Sequence, residues 1–284
     1  MHILIAGATG AAGRALLPLL QARGYTVTGT SSKDMDGLDP ESVRRTVERV
    51  RPDVIVHQMT ALKNLQMKNI DKEFQLTNRL RIEGTRNLIN AMQPGTRLIT
   101  TSFAGWPYAR TGGAIKTEDD PLDPTPPKGI RETHEAIRVL EALTQENGGI
   151  VLRYGGFYGP GASDQQTELI KARKIPLVGG GDGIWSFLHV DDIATATLAA
   201  IEHGKPGEIY NIVDDEPAAV KEWLPFLAQR VGAKPPRRVP AWLAKLVASP
   251  AAVAMMTESR GASNAKAKRE LGWTPKYPSW RAAF

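Results

Sequence analysis

Cysteine is absent from the 284 residues, which excludes disulfides and thiolate chemistry. The five histidines are scattered without metal-ligand spacing, so no metal site is expected. No apolar run reaches the length of a bilayer span, and the N-terminus reads as a strand rather than a signal peptide. A cytoplasmic protein with no membrane partner is the expectation. Internal repeats and low-complexity tracts are missing too. So is a dense basic stripe with aromatic stacking partners, which argues against a nucleic-acid partner. The net charge of +6 is nevertheless uneven. Residues 1–203 hold 23 Lys and Arg against 23 Asp and Glu, whereas residues 204–284 hold 13 against 7. That C-terminal excess reads either as a solvated basic surface or as attraction for an anionic small-molecule substrate. Hydrophobic content of 42% and charged content of 23% are ordinary for a globular chain, long enough for one large domain or two modest ones.

What is present concentrates first in MHILIAGATGAAGR, Met1 to Arg14. His2–Ala6 is a short apolar run of strand length. Gly7, Gly10 and Gly13 follow at spacings of three, and Ala15 to Leu20 open a helical pattern that ends near Gly24. Strand, glycine turn and helix in that order form the dinucleotide-binding start of a doubly wound sheet. The first glycine lets the chain turn off the strand, and the middle one lets backbone approach pyrophosphate. The last permits close helix–strand packing, leaving the phosphates at the positive helix N-terminus.

The Gly-x-x-Gly-x-x-Gly variant resembles the extended short-chain dehydrogenase/reductase family, the nucleotide-sugar epimerases and dehydratases. DVIVHQMTAL (residues 53–62), GTRNLINA (84–91), VLRYGGFYGPG (151–161), SFLHVDDIATATLAAIEH (186–203) and LGWTPKYPSW (271–280) carry the likeness nearly end to end. It implies an α/β fold, a Rossmann-type doubly wound parallel sheet with a smaller C-terminal substrate-binding region. Residues 1–155 would be the dinucleotide-binding domain and 156–184 an excursion into the substrate region. Residues 185–213 would return to the nucleotide domain, and 214–284 would cover the substrate as short helices broken by proline. Asp191 or Asp192 is expected to cap the returning helix.

The second strand, Tyr25–Thr30, ends at Ser31, Ser32 and Lys33. An acidic residue there selects NAD by accepting from ribose hydroxyls, whereas hydroxyls and a cation suit a 2′-phosphate. NADP(H) is therefore expected over NAD(H). The alternative makes these plain turn residues, with Asp34 or Asp36 taking the ribose. The short link to Asp36 resembles the reductase branch that makes rhamnose from its keto-sugar nucleotide. Asp36 matches the family aspartate that meets the adenine amine. Asp39 and Pro40 then open a helix to about Arg49. Further cofactor contacts implied by the likeness fall on Thr9, Ala11 and Ala12, on Thr100 and Thr101, and on Gly155 and Phe157. Met59 and Thr60 stand where relatives usually carry two alanines, and Tyr154 where they carry proline, so an aromatic hydroxyl would line the pocket. His57 reads as a packed strand-end residue.

Phe74–Met92 reads as one amphipathic helix, in which Arg81 replaces the family asparagine three residues before Gly84. Ser102, ending the strand Leu98–Thr101, matches the family's catalytic serine; otherwise it satisfies backbone. The Pro- and Gly-rich segment Trp106–Lys128 reads as an ordered functional loop. The helix after it, about Gly129–Gln145, should carry the family's Tyr-x-x-x-Lys pair. The tyrosine exchanges a proton with substrate, while the lysine lowers its pKa and holds the ribose. None of the six tyrosines is followed four residues on by lysine. In the register set by Pro127 the two positions are Lys128 and Glu132. Tyr108 from the loop, or His134 with Arg138 one turn on, could replace the pair unless they merely face solvent. The expected function is an NADP-dependent oxidoreductase acting on a carbonyl or secondary alcohol of a small molecule, possible as a homodimer. The alternatives are a sugar-nucleotide epimerase or reductase with tightly held cofactor, and a non-catalytic dinucleotide sensor.

Overall fold

Ile3, Leu4 and Ile5 are fully buried, as are Val54, Ile55 and Val56. Strands buried on both faces are continuously apolar rather than alternating, and they belong inside a parallel sheet. The computed structural model, which describes residues 1–62 and 70–283, pairs them directly. The main strands are β1 (His2–Ala6), β2 (Thr26–Thr30), β3 (Val54–His57), β4 (Arg97–Phe103), β5 (Ile150–Tyr154) and β6 (Ile209–Ile212). They form one parallel sheet in the order β2-β1-β3-β4-β5-β6. The chain leaves β1 toward β2, then crosses back to β3 on the other side. That reversal creates a crevice at the carboxyl ends of β1 and β3, where ligands bind in such sheets. β2 is one edge of the sheet.

Helices cover both faces. α1 (Ala11–Ala22) packs with Ile3, Ile5 and Val56 on one face, while α2 (Pro40–Val50) packs with Leu4 and Ile55 on the other. The Asp39 side chain caps α2 by accepting from the Glu41 N–H at 3.0 Å, and Pro40 holds the first position. The helix expected over Phe74–Met92 is three pieces. α3 (Ile70–Arg79) leads into a π-helical turn over Leu80–Gly84, then α4 (Thr85–Ala91). His57 explains the break, because its Nε2–H donates to the Leu80 carbonyl at 3.3 Å and draws that carbonyl toward the sheet. α5 (Arg131–Glu146) lies against β4.

Beyond β5 the chain makes short strand pairs, Gly156–Tyr158 with Phe187–His189 and Ile184–Trp185 with Ala218–Ala219. Helices α6 (Asp164–Lys171), α7 (Val190–His203), α8 (Val220–Arg230), α9 (Ala241–Val247), α10 (Pro250–Thr257), α11 (Ala265–Leu271) and α12 (Trp280–Ala283) follow, α7 packing back on α1 in the main core. A second apolar cluster gathers around Trp223 and Trp280, both fully buried. The α7 cap differs from expectation. His189 fills it, its Nδ1 accepting the Asp191 N–H at 3.2 Å. Asp192 instead accepts the Lys276 and Tyr277 N–H groups at 2.8 and 2.9 Å, pinning the closing segment. Among the described residues no helix is long and apolar enough to cross a membrane.

Candidate active site

The crevice is shaped by missing side chains. Gly7 has φ +96°, and a Cβ there would stand 2.7 Å from the Gln58 carbonyl oxygen. A Cβ on Gly13 would lie 2.5 Å from Ala8 Cα and 2.6 Å from the Gly7 carbonyl oxygen. Gly10 caps α1 with extended backbone and no side-chain bond. The first-turn N–H groups of Ala11, Ala12 and Gly13 are thus left for an anion at the positive end of the helix. Thr9 is exposed at the rim, where its carbonyl accepts from Arg14 Nη1 at 2.6 Å. The side-chain amide of Gln58, buried behind the turn, makes no hydrogen bond among the described residues. A glycine cradle with an orphaned amide at its floor fits a dinucleotide.

The end of β2 closes against the same turn, the Gly7 and Ala8 N–H groups donating to the Thr30 carbonyl at 3.0 and 2.9 Å. Ser31, Ser32 and Lys33 therefore flank the cradle, and Ser32 and Lys33 are exposed. Ser31 donates both its N–H and its hydroxyl to Asp34, at 2.9 and 2.7 Å. Those bonds hold the Asp34 carboxyl below its usual range. Asp36 is exposed and accepts from the Leu38 N–H at 2.9 Å.

The other expected cofactor positions divide. Thr60 is exposed, and Thr101, half-buried, donates to the His57 carbonyl at 3.4 Å. Met59 packs beneath Gly37 and Gly84. The Thr100 side chain turns away, its hydroxyl 3.0 Å from that of Thr144 on α5. Tyr154 corrects the idea of a pocket-lining hydroxyl. Thr197 spends its own proton on the Ile193 carbonyl, so the Tyr154 hydroxyl donates to Thr197 at 2.7 Å, inside the core. Gly155 permits a close backbone crossing, since a Cβ would lie 2.9 Å from the Ser186 carbonyl oxygen. The Phe157 ring centre lies 5.8 Å from that of Tyr154.

Ser102 heads a buried chain of polar groups. Its hydroxyl donates to Glu141 Oε1 at 2.7 Å, and Arg153 grips the same carboxylate from Nε and Nη2 at 2.8 and 2.7 Å. Arg153 Nη1 donates to the Tyr108 hydroxyl at 2.8 Å, which donates to Asn211 Oδ1 at 2.7 Å. Tyr108 is fully buried, so it does not reach over the cleft from above. Burial pushes its pKa up to about 12, with Arg153 opposing. His134 is buried as well, and its Nε2–H donates to the Pro107 carbonyl at 2.8 Å. Arg138 pairs with Glu135 in solvent. The Pro127 register also gives way. Lys128 precedes α5 and Glu132 is exposed, whereas Thr133, Ile137 and Glu141 form the buried stripe that reaches Ser102. Thr133 is itself engaged, its hydroxyl donating to Asp71 at 2.9 Å and accepting from Asn78 at 3.0 Å. Glu141, Asn78 and Asn211 stand in no motif singled out in the sequence, and Gln58 lies inside DVIVHQMTAL without a role of its own there; what they do arises only from the fold.

Known proteins share this construction. The NAD dependent epimerase/dehydratase family profile matches residues 3–213. A 3-diazoavenalumate denitrifying reductase from Streptomyces sp is 40% identical over 300 aligned residues, 99% of this chain and 98% of its own. A dTDP-4-dehydrorhamnose reductase from Streptomyces griseus is 26% identical, covering 82% of this chain and 77% of its own. Two solved structures share the fold. Thermus thermophilus UDP-glucose 4-epimerase in complex with NAD superimposes with a TM-score of 0.75 at 23% identity, over 100% of this chain and 96% of that one. A human epimerase family protein with NADPH gives 0.76 at 21%, over 100% and 97%. With the profile spanning most of the sequence and the cradle in place, the chain belongs to the NAD-dependent epimerase/dehydratase family and is an NAD(P)-dependent enzyme.

Proposed function

We propose that the protein is an NADP(H)-dependent reductase whose substrate accepts hydride without drawing a proton from the protein, and that this substrate is an aromatic diazo compound. The observation carrying this reading is the buried stripe of α5, where Thr133, Ile137 and Glu141 include neither tyrosine nor lysine. Tyr108 and His134 do not fill the gap, because both protons are already donated, to Asn211 and to Pro107. A carbonyl oxygen that gains charge needs a positioned acid. A diazonium does not: when bound, the reduced dinucleotide supplies hydride, and an arene diazonium receiving it becomes arene C–H plus dinitrogen, with atoms and charge balanced. Ser102 suits such a cation, since its proton rests on Glu141 and only lone pairs remain. The 40% identical relative is named for denitrifying a diazo compound.

Lys33, exposed beside the cradle at the end of β2, supports NADP(H) as the cofactor. Lys33→Glu should weaken NADPH roughly tenfold or more and leave NADH nearly unchanged, because one charge-assisted contact becomes a repulsion. Titrating both cofactors checks this, and tighter NADH binding by wild type would reverse the assignment to Asp34 and NAD(H).

The reaction is tested with purified protein, NADPH and a benzenediazonium salt, following nicotinamide absorbance and dinitrogen release. Both should change together, and Ser102→Ala should keep turnover within about tenfold. A second reading, carbonyl reduction, is favoured by the place of Ser102 at the carboxyl end of β4. It predicts turnover of aldehydes or ketones and a loss on the order of 100-fold or more in Ser102→Ala. NADPH consumption with carbonyls alone selects that reading. Consumption with neither class, despite tight binding, rejects both readings.

A further inference from the structure

Arg81 has no task in the chemistry above. It stands in the π turn between α3 and α4 and is only 4% exposed. Burial draws its pKa down to about 10. Nη1 donates to Asn78 Oδ1 at 3.2 Å, and the guanidinium carbon lies 5.1 and 5.6 Å from the ring centres of Phe103 and Phe74. Among the described residues no carboxylate forms an ion pair with it. A guanidinium carries five N–H donors, and a buried cation without a counter-charge is costly to keep. The same rings belong to an apolar cluster with Trp106, Ile130, Trp185 and Met255, which begins one residue beyond Ser102.

We propose that Arg81 anchors an anionic oxygen, carboxylate or phenolate, on an aromatic substrate whose ring lies against Phe74, Phe103 and Trp106. The inference rests on the aromatic-substrate reading and deepens it. A guanidinium fork matches a carboxylate in two parallel bonds, and apolar walls that exclude water strengthen the pair. Asn78 orients the fork from one side, and the rings hold its plane. The substrate thereby supplies the direct ion-pair partner that Arg81 lacks among the described residues, where Glu141 acts on it only at longer range.

The test is calorimetric binding to NADPH-loaded protein, so turnover does not enter. Cinnamate is compared with methyl cinnamate, and 4-nitrophenolate with 4-nitroanisole. At least one anion should bind tenfold or more tightly than its neutral counterpart. Arg81→Gln should remove that preference, and Arg81→Lys, which keeps charge but loses the fork, should keep part of it. Which anion is preferred identifies the oxygen. Absence of any preference in wild type overturns the proposal, as does a preference that survives Arg81→Gln. Should Arg81→Gln fail to fold, a wild-type preference weakened in Arg81→Lys supports the proposal, and an unweakened one overturns it. Arg81-dependent anion binding without diazonium turnover would keep the anchor and discard the diazo substrate.

Discussion

The fate of one proton decides what Ser102 can do. Glu141 takes it, and Arg153 fixes Glu141, with both charged side chains about nineteen-twentieths buried. Breaking a buried pair leaves an uncompensated charge and costs about 3–5 kcal/mol, whereas one hydrogen bond to a charged group is worth about 1.5–3 kcal/mol. Glu141→Gln should therefore lower unfolding free energy clearly more than Ser102→Ala. Denaturant melts of both variants check this, and equal losses would mean that Arg153 finds another partner. Gly13→Ala should weaken cofactor binding and lower Tm, because the new Cβ meets backbone atoms of Ala8 and Gly7 that have nowhere to move. The contrast explains what the sequence discloses at this scale. The glycine spacing is local, Gly7, Gly10 and Gly13 falling within seven residues, so the sequence reveals the cradle even though the Gly7 contact with Gln58 comes from the fold. The Ser102–Glu141, Arg153–Tyr108 and Tyr108–Asn211 bonds join residues 39, 45 and 103 positions apart, beyond any motif. Pro127 misplaces the catalytic pair for a related reason: the face of α5, not the loop proline that precedes it, decides which residues meet β4.

Between residue and fold, the break after α3 is the feature that period alone conceals. An apolar stripe at helical spacing continues through Leu80, Leu88 and Ile89 whether or not one turn is widened, so Phe74–Met92 reads as uninterrupted. The cause lies on another strand. His57 accepts the Met59 N–H through Nδ1 at 3.2 Å and donates Nε2–H to Leu80, so a single neutral tautomer serves both bonds. Burial lowers its pKa to about 4 from 6.5. The native state therefore binds fewer protons than the unfolded chain between those values. Stability contributed by neutral His57 is complete above about pH 6.5 and is lost as pH falls toward 4, by about 3 kcal/mol in all. His57→Phe keeps a ring in the space but removes this titration. Its stability should show no gain from pH 4 to 6.5 traceable to position 57, and hydrogen exchange should reveal faster opening around Leu80–Gly84. Unchanged exchange there would detach the π turn from His57.

Across the whole molecule, the C-terminal segment closes on a buried acid whose pKa burial raises. Asp214 follows β6, is 1% exposed, and accepts the Glu216 and Trp280 N–H groups at 3.2 and 3.0 Å. Glu216 in turn holds Ser279 and Arg281, so residues 214–216 clasp the chain's last turn. Burial pushes the Asp214 pKa up to about 8 from 3.8, with Glu216 and Asp215 adding to the rise. The native state then holds more protons than the unfolded chain across that window, and stability falls as pH rises through it. Asp192 and Glu118, both raised by burial, act in the same direction. Between about pH 4 and 6.5 the gain from His57 opposes this loss and offsets part of it. Above 6.5 only the loss remains, at about 1.4 kcal/mol per pH unit for one proton, until about pH 8. Melts of wild type should change less steeply between about pH 4 and 6.5 than between 6.5 and 8, where they should decline. Asp214→Asn should remove most of that decline and expose the rising limb that His57 contributes. Conversely, His57→Phe should decline across the entire range. A wild-type Tm that holds steady up to pH 8 would mean that Asp214 is ionised in the folded protein, and its two backbone donors would then be holding a carboxylate.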